Sequence, residues 1–193
     1  SSLVLRGPGC SADQAGRATN GAGAPSFIDP ILGGAFLIQL DEIPNLKEIS
    51  DSEAEGLCAR LRARIIDAVS RTGGHLASNL GTVEITVALH RVFDTGRDRV
   101  VFDVGHQCYS HKILTGRDTA MDTLRTFGGI AGYPKPQESQ DDAFIAGHAS
   151  NSVSVALGMA RARSQRGEDY HVIALIGDGA LTGGLAYEGL SNA

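Results

Sequence analysis

The chain has 193 residues, of which 42% are hydrophobic and 20% are charged, and it carries 25 glycines, no tryptophan and a formal net charge of −5. This composition is typical of one globular domain and excludes a collagen-like repeat, a coiled coil and a disordered polymer. No stretch of about 18 apolar residues predicts a membrane-spanning helix, and the acidic total argues against a general nucleic-acid-binding protein. We therefore expect neither a membrane nor a nucleic acid as a partner.

Three cysteines, Cys10, Cys58 and Cys108, show no spacing typical of a zinc site or a disulfide framework. This usage fits a reducing compartment, so we expect a bacterial cytoplasmic protein. Cys108 lies near His106 in the sequence, but it has no matching acid or second thiol. We therefore do not expect it to act as a nucleophile.

The first 35 residues differ from the rest of the chain, since twenty of them are Gly, Ala, Ser or Pro. Such a segment buries too little apolar area to offset the entropy that ordering costs. We predict a disordered or unrelated tail at 1–35 and a folded domain at 36–193. A transit peptide is an alternative interpretation of the tail, and it would place the protein in a plastid.

The clearest predicted helix spans residues 50–72, where apolar residues recur every fourth position: Leu57, Leu61, Ile65 and Val69. Two alternative capping boxes mark its start, Ser50 with Glu53 or Ser52 with Glu55. The pair Gly73-Gly74 predicts its end. Three arginines of this segment are predicted to form a solvated face: Arg60, Arg62 and Arg64.

The remaining predicted elements alternate between strands and helices. Residues 82–93 fit either a strand or a helix, and residues 99–104 and 171–176 read as buried strands. A helix is predicted over 152–166, and another begins near Leu181. This order predicts an α/β fold with a mostly parallel sheet flanked by helices.

A glycine-rich turn, Gly177-Asp178-Gly179-Ala180, follows the last predicted strand. Glycines there let the backbone approach an anion, and the N–H groups of a following helix favour phosphate. The Asp178 carboxylate is a hard oxygen ligand suited to Mg²⁺. The pattern matches neither the dinucleotide-binding fingerprint nor a P-loop. The turn indicates a candidate metal–diphosphate site. The alternative interpretation is a plain turn in which the aspartate caps the following helix.

Three of the six histidines follow a glycine: His75, His106 and His148. If the apolar segments 101–104 and 143–146 are strands, His106 and His148 lie at the sheet edge that also carries Asp178. Neutral imidazoles there can bind a phosphate oxygen or move protons near neutral pH. The alternative is that each is a structural histidine, which is our interpretation of His90 and His171. The sequence does not decide whether His111 has a functional or a structural role.

Four longer stretches carry more specific motifs: GGHLASNLGTVEITVALHRVFDT (73–95), VFDVGHQCYSHKILTGR (101–117), AGHASNSVSVALGMARAR (146–163) and IALIGDGALTGGLAYEGLSNA (173–193). They resemble the 1-deoxy-D-xylulose-5-phosphate synthases, which are thiamine-diphosphate enzymes of the transketolase superfamily. The resemblance covers about residues 40–193. It implies the thiamine-diphosphate-binding fold and the cofactors thiamine diphosphate and Mg²⁺.

The resemblance also implies roles for individual residues. Asp178 would hold Mg²⁺, and His75 would be a catalytic residue that transfers a proton near the reacting carbonyl. The positions that match cofactor-contacting residues of the family are Ser78, His106, Gly147, His148, Ala149, Gly179 and Ala180. The implied reaction condenses pyruvate with D-glyceraldehyde 3-phosphate to 1-deoxy-D-xylulose 5-phosphate and CO₂. This is the first step of non-mevalonate isoprenoid synthesis and also feeds thiamine and pyridoxal synthesis. A homodimer is implied for the full-length protein.

Some family features have no counterpart in this chain. Ala149 and Asn151 stand where many members have Ser and Thr. An asparagine about thirty residues after the motif aspartate completes the metal site in the family, whereas 193 − 178 = 15 residues follow Asp178. We therefore expect the N-terminal part of the diphosphate-binding domain, incomplete at its C-terminus and without turnover by itself. Another transketolase-type enzyme, a non-catalytic phosphate-binding module and a purely structural fragment are the alternatives.

Overall fold

A computed structural model describes Leu40 and residues 42–193. The strands are β1 (Arg99–Phe102) and β2 (Val172–Leu175). The helices are α1 (Asp51–Thr72), α2 (Leu76–Leu80), α3 (Val83–Val92), α4 (Tyr109–Lys112), α5 (Ser152–Arg166), α6 (Asp178–Leu181) and α7 (Gly184–Ser191), with a π-helical turn at Ile113–Arg117 and a 3-10 helix at Thr119–Thr123. This mixture confirms the predicted α/β class. The predicted tail at 1–35 lies outside the described residues, in which no helix is long and apolar enough to cross a membrane.

The two strands are parallel and end side by side. Arg99 pairs with Val172 and Phe102 with Leu175, and the Asp103 N–H continues the ladder to the Leu175 carbonyl at 2.8 Å. The last three residues of each strand are at most 3% exposed, which is typical of a parallel sheet covered on both faces. Both predicted strands are confirmed, each shorter than its apolar run. Their coincident ends bring the segments after Phe102 and Leu175 to one edge.

Two apolar clusters hold the helices against this sheet. The larger one joins α1, α3 and α4 to the strands through buried side chains that include Leu57, Leu61, Val87 and Ile113. The smaller one packs α5 and α7 together through Val153, Ile176 and Ala186. The sheet edge that follows Phe102 therefore lies on a scaffold that is packed from both sides.

Helix α1 begins and ends where its local signals predict. The Ser50 hydroxyl accepts the Glu53 N–H at 3.3 Å and the Glu53 carboxylate accepts the Ser50 N–H at 2.7 Å, so the first of the two capping boxes forms. The Ser50 hydroxyl also donates to the Glu53 carboxylate at 2.7 Å, and this bond, followed by that of the Ser50 N–H, lowers the pKa of Glu53. Gly73, with φ +76°, ends the helix because that conformation costs glycine little. The ambiguous segment 82–93 is helical as α3.

The predicted solvated face of arginines is wrong at Arg64, whose side chain is fully buried. Its Nε donates to Asp118 Oδ1 at 2.7 Å, and an η-nitrogen lies 3.0 Å from Asp122 Oδ1. Arg64 follows Leu57 by seven residues and Leu61 by three, so the helical period places it on the buried face. The aspartates supply the charge that makes this burial tolerable. Arg60 is exposed as predicted.

The condition that residues 143–146 form a strand is not met, since this segment is a loop without strand pairing. Ile145 is 47% exposed, whereas a central strand of a parallel sheet is buried on both faces. Asp142, which precedes the segment, binds Arg117, and the Ser150 N–H, four residues after the segment, binds Asp103 at the end of β1. The argument that placed His148 at the sheet edge therefore loses its basis.

The histidines interpreted as structural do have structural partners. His171 contacts Asp98 Oδ1 through its backbone N–H at 2.7 Å and its ring at 3.2 Å. His90 Nε2 lies 2.9 Å from His111 Nδ1, and His111 Nε2 lies 3.1 Å from Asp142 Oδ1. His111, which the sequence left open, is thus part of a buried chain of polar contacts beside β1.

His90 makes the free energy of unfolding depend on pH. Burial, and then the charge that His111 can carry, lower its pKa from 6.5 to about 3, against an opposing effect of Asp141. The unfolded chain therefore binds a proton below pH 6.5 that the folded chain takes up only near pH 3. Stability should fall as pH falls through this window, by about 2 kcal/mol between pH 6.5 and 5. Urea unfolding at both pH values should show a smaller loss for His90→Gln, and equal losses would contradict the assignment.

Candidate functional site

A cavity of about 310 Å³ opens where the two strands end. Its walls come from α2 and the turn after it, from the segment after β1 and from the segment after β2. The lining residues are Ser78, Gly81, Thr82, Asp103, Val104, His106, Gln107, Leu175, Ile176, Gly177 and Ala180. Ligands of α/β proteins bind beyond the carboxyl ends of parallel strands, which makes this cavity the candidate site.

Two of the glycine-preceded histidines meet beside the cavity. The rings of His75 and His106 are 5.1 Å apart in an edge-to-face arrangement, and His75 also faces the Tyr133 ring at 6.2 Å. The Nδ1 atom of each histidine is buried and has no hydrogen-bond partner. Burial, followed by the effect of His75, lowers the pKa of His106, against an opposing effect of Asp103. His106 is therefore a neutral imidazole at pH 7 with a nitrogen free to bind a ligand.

Asn79, to which the sequence assigned no role, joins these two histidines. Its side chain is fully buried, and Nδ2 donates to the carbonyls of His75 at 2.6 Å and His106 at 2.8 Å. Its Oδ1 accepts the Tyr109 N–H at 2.9 Å. Since His106 follows Asn79 by 27 residues, no local signal could have revealed this bridge.

The glycine-rich turn forms the wall opposite the histidines. Gly177 is the N-cap residue of α6, so Asp178 is not the capping side chain that the alternative interpretation requires. The exposed Asp178 carboxylate accepts the Gly179 N–H at 2.9 Å. A Cβ built on Gly177 or Gly179 would meet no atom within 4 Å. The helix predicted from Leu181 is interrupted and resumes at Gly184.

Asp178 is a single carboxylate at this turn. In the described part of the chain, no group of three or more His, Cys, Asp or Glu side chains is placed to hold a metal ion. Mg²⁺ commonly takes one or two protein carboxylates and completes its shell with phosphate oxygens and water. An ion at Asp178 would therefore need ligands beyond those that these residues supply.

The third glycine-preceded histidine lies apart from the cavity wall. Gly147, His148 and Ala149 are all exposed, and none lines the cavity. Gly147 adopts φ +146°, a conformation that suits glycine. The structure thus brings Ser78, His75, His106 and Ala180 together, with Asp178 and Gly179 adjoining them. The cofactor contacts implied for Gly147, His148 and Ala149 stay predictions.

Cys108 has the environment of a structural cysteine. It is fully buried, and burial raises the pKa of its thiol to about 12. The thiolate that a nucleophile needs is therefore scarce near neutral pH. Cys58 is also buried and unpaired, while Cys10 lies outside the described residues.

The backbone is strained where it turns from β1 toward His106. Val104 adopts φ +59°, which is rare for a β-branched residue, and the Gly105 N–H closes a three-residue turn on the Asp103 carbonyl at 2.6 Å. Gly105 cannot carry a side chain, because a Cβ would come within 2.7 Å of Pro134 Cδ. Such strain persists only where the surroundings enforce it.

The cost of this strain can be measured with two variants of Val104. Both Val104→Gly and Val104→Ala remove the γ-methyl groups, but only alanine keeps the Cβ that makes φ +59° unfavourable. We expect Val104→Gly to be more stable than Val104→Ala by about 1 kcal/mol, or about 3 °C in Tm. Thermal melts of the two proteins test this, and an equal or lower Tm for the glycine variant would contradict it.

Fold and site together define an α/β protein with a cavity at the carboxyl ends of parallel strands. A sequence model of the 1-deoxy-D-xylulose-5-phosphate synthase family matches residues 37–193. The chain belongs to this family, which confirms the resemblance seen in its motifs.

Curated relatives support the same assignment, and each carries the name 1-deoxy-D-xylulose-5-phosphate synthase. The chain is 61% identical to the protein of Parabacteroides distasonis over 77% of its own length, and 58% identical to that of Thiobacillus denitrificans over 82%. It is 56% identical to the protein of Azobacteroides pseudotrichonymphae over 82%. These matches cover 24%, 26% and 25% of the relatives, so the chain spans about a quarter of their length.

Proposed function

We propose that residues 36–193 form the N-terminal part of the diphosphate-binding domain of a thiamine-diphosphate-dependent 1-deoxy-D-xylulose-5-phosphate synthase. This transketolase-type enzyme would condense pyruvate with D-glyceraldehyde 3-phosphate and release CO₂. The observation that carries the proposal is the cavity at the ends of β1 and β2, lined by Ser78, His106 and Ala180. The proposal includes a cytoplasmic homodimer for the whole enzyme.

The residues of the cavity fit the cofactor chemically. His75 and His106 each hold a buried Nδ1 atom without a partner, and a buried polar atom of this kind is costly unless a ligand or water satisfies it. Gly177 and Gly179 leave open space over the first turn of α6, where a diphosphate can approach backbone N–H groups. Backbone N–H groups of this kind, together with a cation at Asp178, would admit the anion despite the acidic net charge.

Each part of the cavity would then have a distinct task. Gly179 and Ala180 would bind the diphosphate through the backbone, and Asp178 would hold Mg²⁺ together with phosphate oxygens. Ser78 and His106 would orient the cofactor by hydrogen bonds, with contacts from Gly147, His148 and Ala149. His75 would hold or release a proton near the reacting carbonyl. The bound cofactor supplies the electron sink that carbon–carbon bond cleavage and formation require.

A chimaeric enzyme tests this function directly. The matching segment of the Parabacteroides distasonis relative would be replaced by residues 36–193, and CO₂ release would be followed with pyruvate and D-glyceraldehyde 3-phosphate. We expect activity within about tenfold of the parent, since 61% identity keeps the fold and site. The isolated chain is expected to show no turnover.

The same assay separates the competing interpretations. A chimaera that uses a ketose phosphate as donor instead of pyruvate would indicate another transketolase-type enzyme. A folded chimaera that binds ATP in preference to thiamine diphosphate would indicate a phosphate-binding module without this chemistry. Either result would contradict the proposed function.

A further inference from the structure

The buried carboxylate of Asp103 ties the end of β1 to the start of α5. Asp103 is 1% exposed. Its Oδ1 accepts the Ser150 N–H at 2.9 Å and its Oδ2 accepts the Ser152 N–H at 3.0 Å. Charged hydrogen bonds of this kind are stronger than neutral ones. The carboxylate therefore fixes the loop that precedes α5 relative to the sheet.

Ser150 extends this connection to the opposite wall of the cavity. Its hydroxyl donates to the Ala180 carbonyl at 2.6 Å. The backbone of Gly183 packs so closely against the same hydroxyl that it leaves no room for a side chain. Ala180 lines the cavity next to the turn of Asp178 and Gly179. One chain of hydrogen bonds thus runs from Asp103 through Ser150 to α6.

Two residues next to Asp103, one in the chain and one bound to its carboxylate, have a strained backbone. Among the described residues, three non-glycine residues have positive φ: Val104 at +59°, Arg125 at +61° and Ser150 at +72°. Val104 follows Asp103 directly, and Ser150 is bound to its carboxylate. Conformations of this kind persist only where surrounding interactions enforce them. The Asp103 carboxylate and the Ala180 carbonyl supply such interactions to Ser150, and the Asp103 carbonyl closes the turn at Val104.

We propose that Asp103 and Ser150 are positioning residues, which hold the turn of Asp178, Gly179 and Ala180 against the end of β1 before any ligand binds. The inference rests on the proposed function, because the proposed function assigns this turn to the diphosphate of the cofactor. Neither side chain is required to touch the ligand. A preformed turn avoids the entropy cost of ordering these residues on binding.

Hydrogen exchange on the free 193-residue chain tests the positioning role without a cofactor. The amides of Leu181, Thr182 and Gly183 report on α6, since each donates to a carbonyl of the turn: those of Gly177, Gly179 and Ala180. Ser150→Ala removes the hydroxyl and should speed their exchange about five- to tenfold, the equivalent of one lost hydrogen bond. Exchange in α1 should not change.

Ser154→Ala is the matched control, because the Ser154 hydroxyl contacts the Leu185 carbonyl of α7 at 3.4 Å and not α6. It should leave the three amides within twofold of the wild type. If Ser150→Ala also leaves them within twofold, or if Ser154→Ala accelerates them equally, the positioning role is wrong.

A double-mutant cycle tests whether Asp103 acts through Ser150. Asp103→Asn removes one of the two acceptors and should accelerate the same amides, while the double variant should be no faster than the faster single variant. Additive effects would contradict the coupling. If Asp103→Asn does not fold, the Ser150→Ala result alone decides the positioning role.

Measurements of cofactor binding distinguish a failure of this inference from a failure of the proposed function. In NMR titrations with thiamine diphosphate and Mg²⁺, Ser150→Ala should bind at least fivefold more weakly than Ser154→Ala. If the wild type shows no binding, the proposed function fails while the exchange result still decides the connection from Asp103 to α6. If the wild type binds and Ser150→Ala binds equally well, the positioning inference fails.

Discussion

Replacing Asp142 with asparagine is expected to lower the free energy of unfolding by about 3–5 kcal/mol. The side chain is fully buried and accepts two hydrogen bonds from Arg117, at 2.7 and 2.8 Å. It also accepts the Lys135 N–H at 2.6 Å and lies 3.1 Å from His111 Nε2. An amide nitrogen in place of one oxygen cannot accept these bonds, so buried donors would lose their partner.

The charges around Asp142 explain why this loss is large. Burial raises the pKa of Asp142, but hydrogen bonds from Arg117, His111 and the Lys135 backbone outweigh it and hold the pKa well below its usual range. Fully buried Lys112 pairs with Glu138 at 2.6 Å in the same cluster. Two cations and two carboxylates balance here, and removing one carboxylate leaves a buried positive charge uncompensated.

Asp141→Asn is the matched control, since it makes the same chemical change at the next residue. Asp141 accepts hydrogen bonds from the hydroxyls of Thr95 and Ser139, and it faces no buried cation at contact distance. Urea unfolding at pH 7 should show a loss below about 1.5 kcal/mol for this variant. Equal losses for Asp141→Asn and Asp142→Asn would contradict the role given to the buried charge cluster.

In the chimaeric enzyme, Asp178→Ala is expected to reduce kcat/KM by at least about 100-fold. In metalloproteins, loss of a group that only orients a metal ligand lowers metal affinity or activity by about 10–100-fold. Loss of a direct ligand should lower activity at least as much. Among the described residues, exposed Asp178 accepts a side-chain hydrogen bond only from the adjacent Gly179 N–H, so the variant should fold normally. Raising the Mg²⁺ concentration should recover part of the activity, because the remaining phosphate oxygens still bind the ion.

Asp169→Ala provides the control for this variant. The Asp169 side chain is exposed and faces Arg97 at 3.6 Å, and both residues precede their strands, at the end of the sheet opposite to the site. Its removal should change kcat/KM less than twofold, since exposed ion pairs contribute little. If Asp178→Ala retains parental activity at low Mg²⁺, the metal assignment is wrong.

Elements with local signals could be predicted from the sequence. The capping box at Ser50, the glycine at 73 and the buried face of α1 are all encoded within one helix length. Helix α5 spans the predicted 152–166, and both apolar runs form parallel strands. It could also be predicted that His106 and Ala180 lie at the same sheet edge, because the carboxyl ends of parallel strands meet there. Their separation in the sequence gives no such signal.

The missed features depend on partners far away in the chain. The helical period places Arg64 on a buried face, but its burial is tolerated because Asp118, 54 residues later, neutralises it. Asn79 bridges two histidines, and Asp103 binds Ser150 from 47 residues away. Hydrophobic periodicity reports which face of an element is buried, but it does not report which polar groups satisfy each other. For the same reason, the apolar run 143–146 did not reveal that it forms a loop.

The central claim is that the cavity at the ends of β1 and β2 binds thiamine diphosphate, and an NMR titration of the chain tests it most directly. With Mg²⁺ present, thiamine diphosphate should shift the amides of Gly179 and Ala180 and the imidazole of His106 in a saturable manner. ATP should produce smaller shifts at the same positions. No response at these three residues, or a stronger response to ATP, would contradict the account.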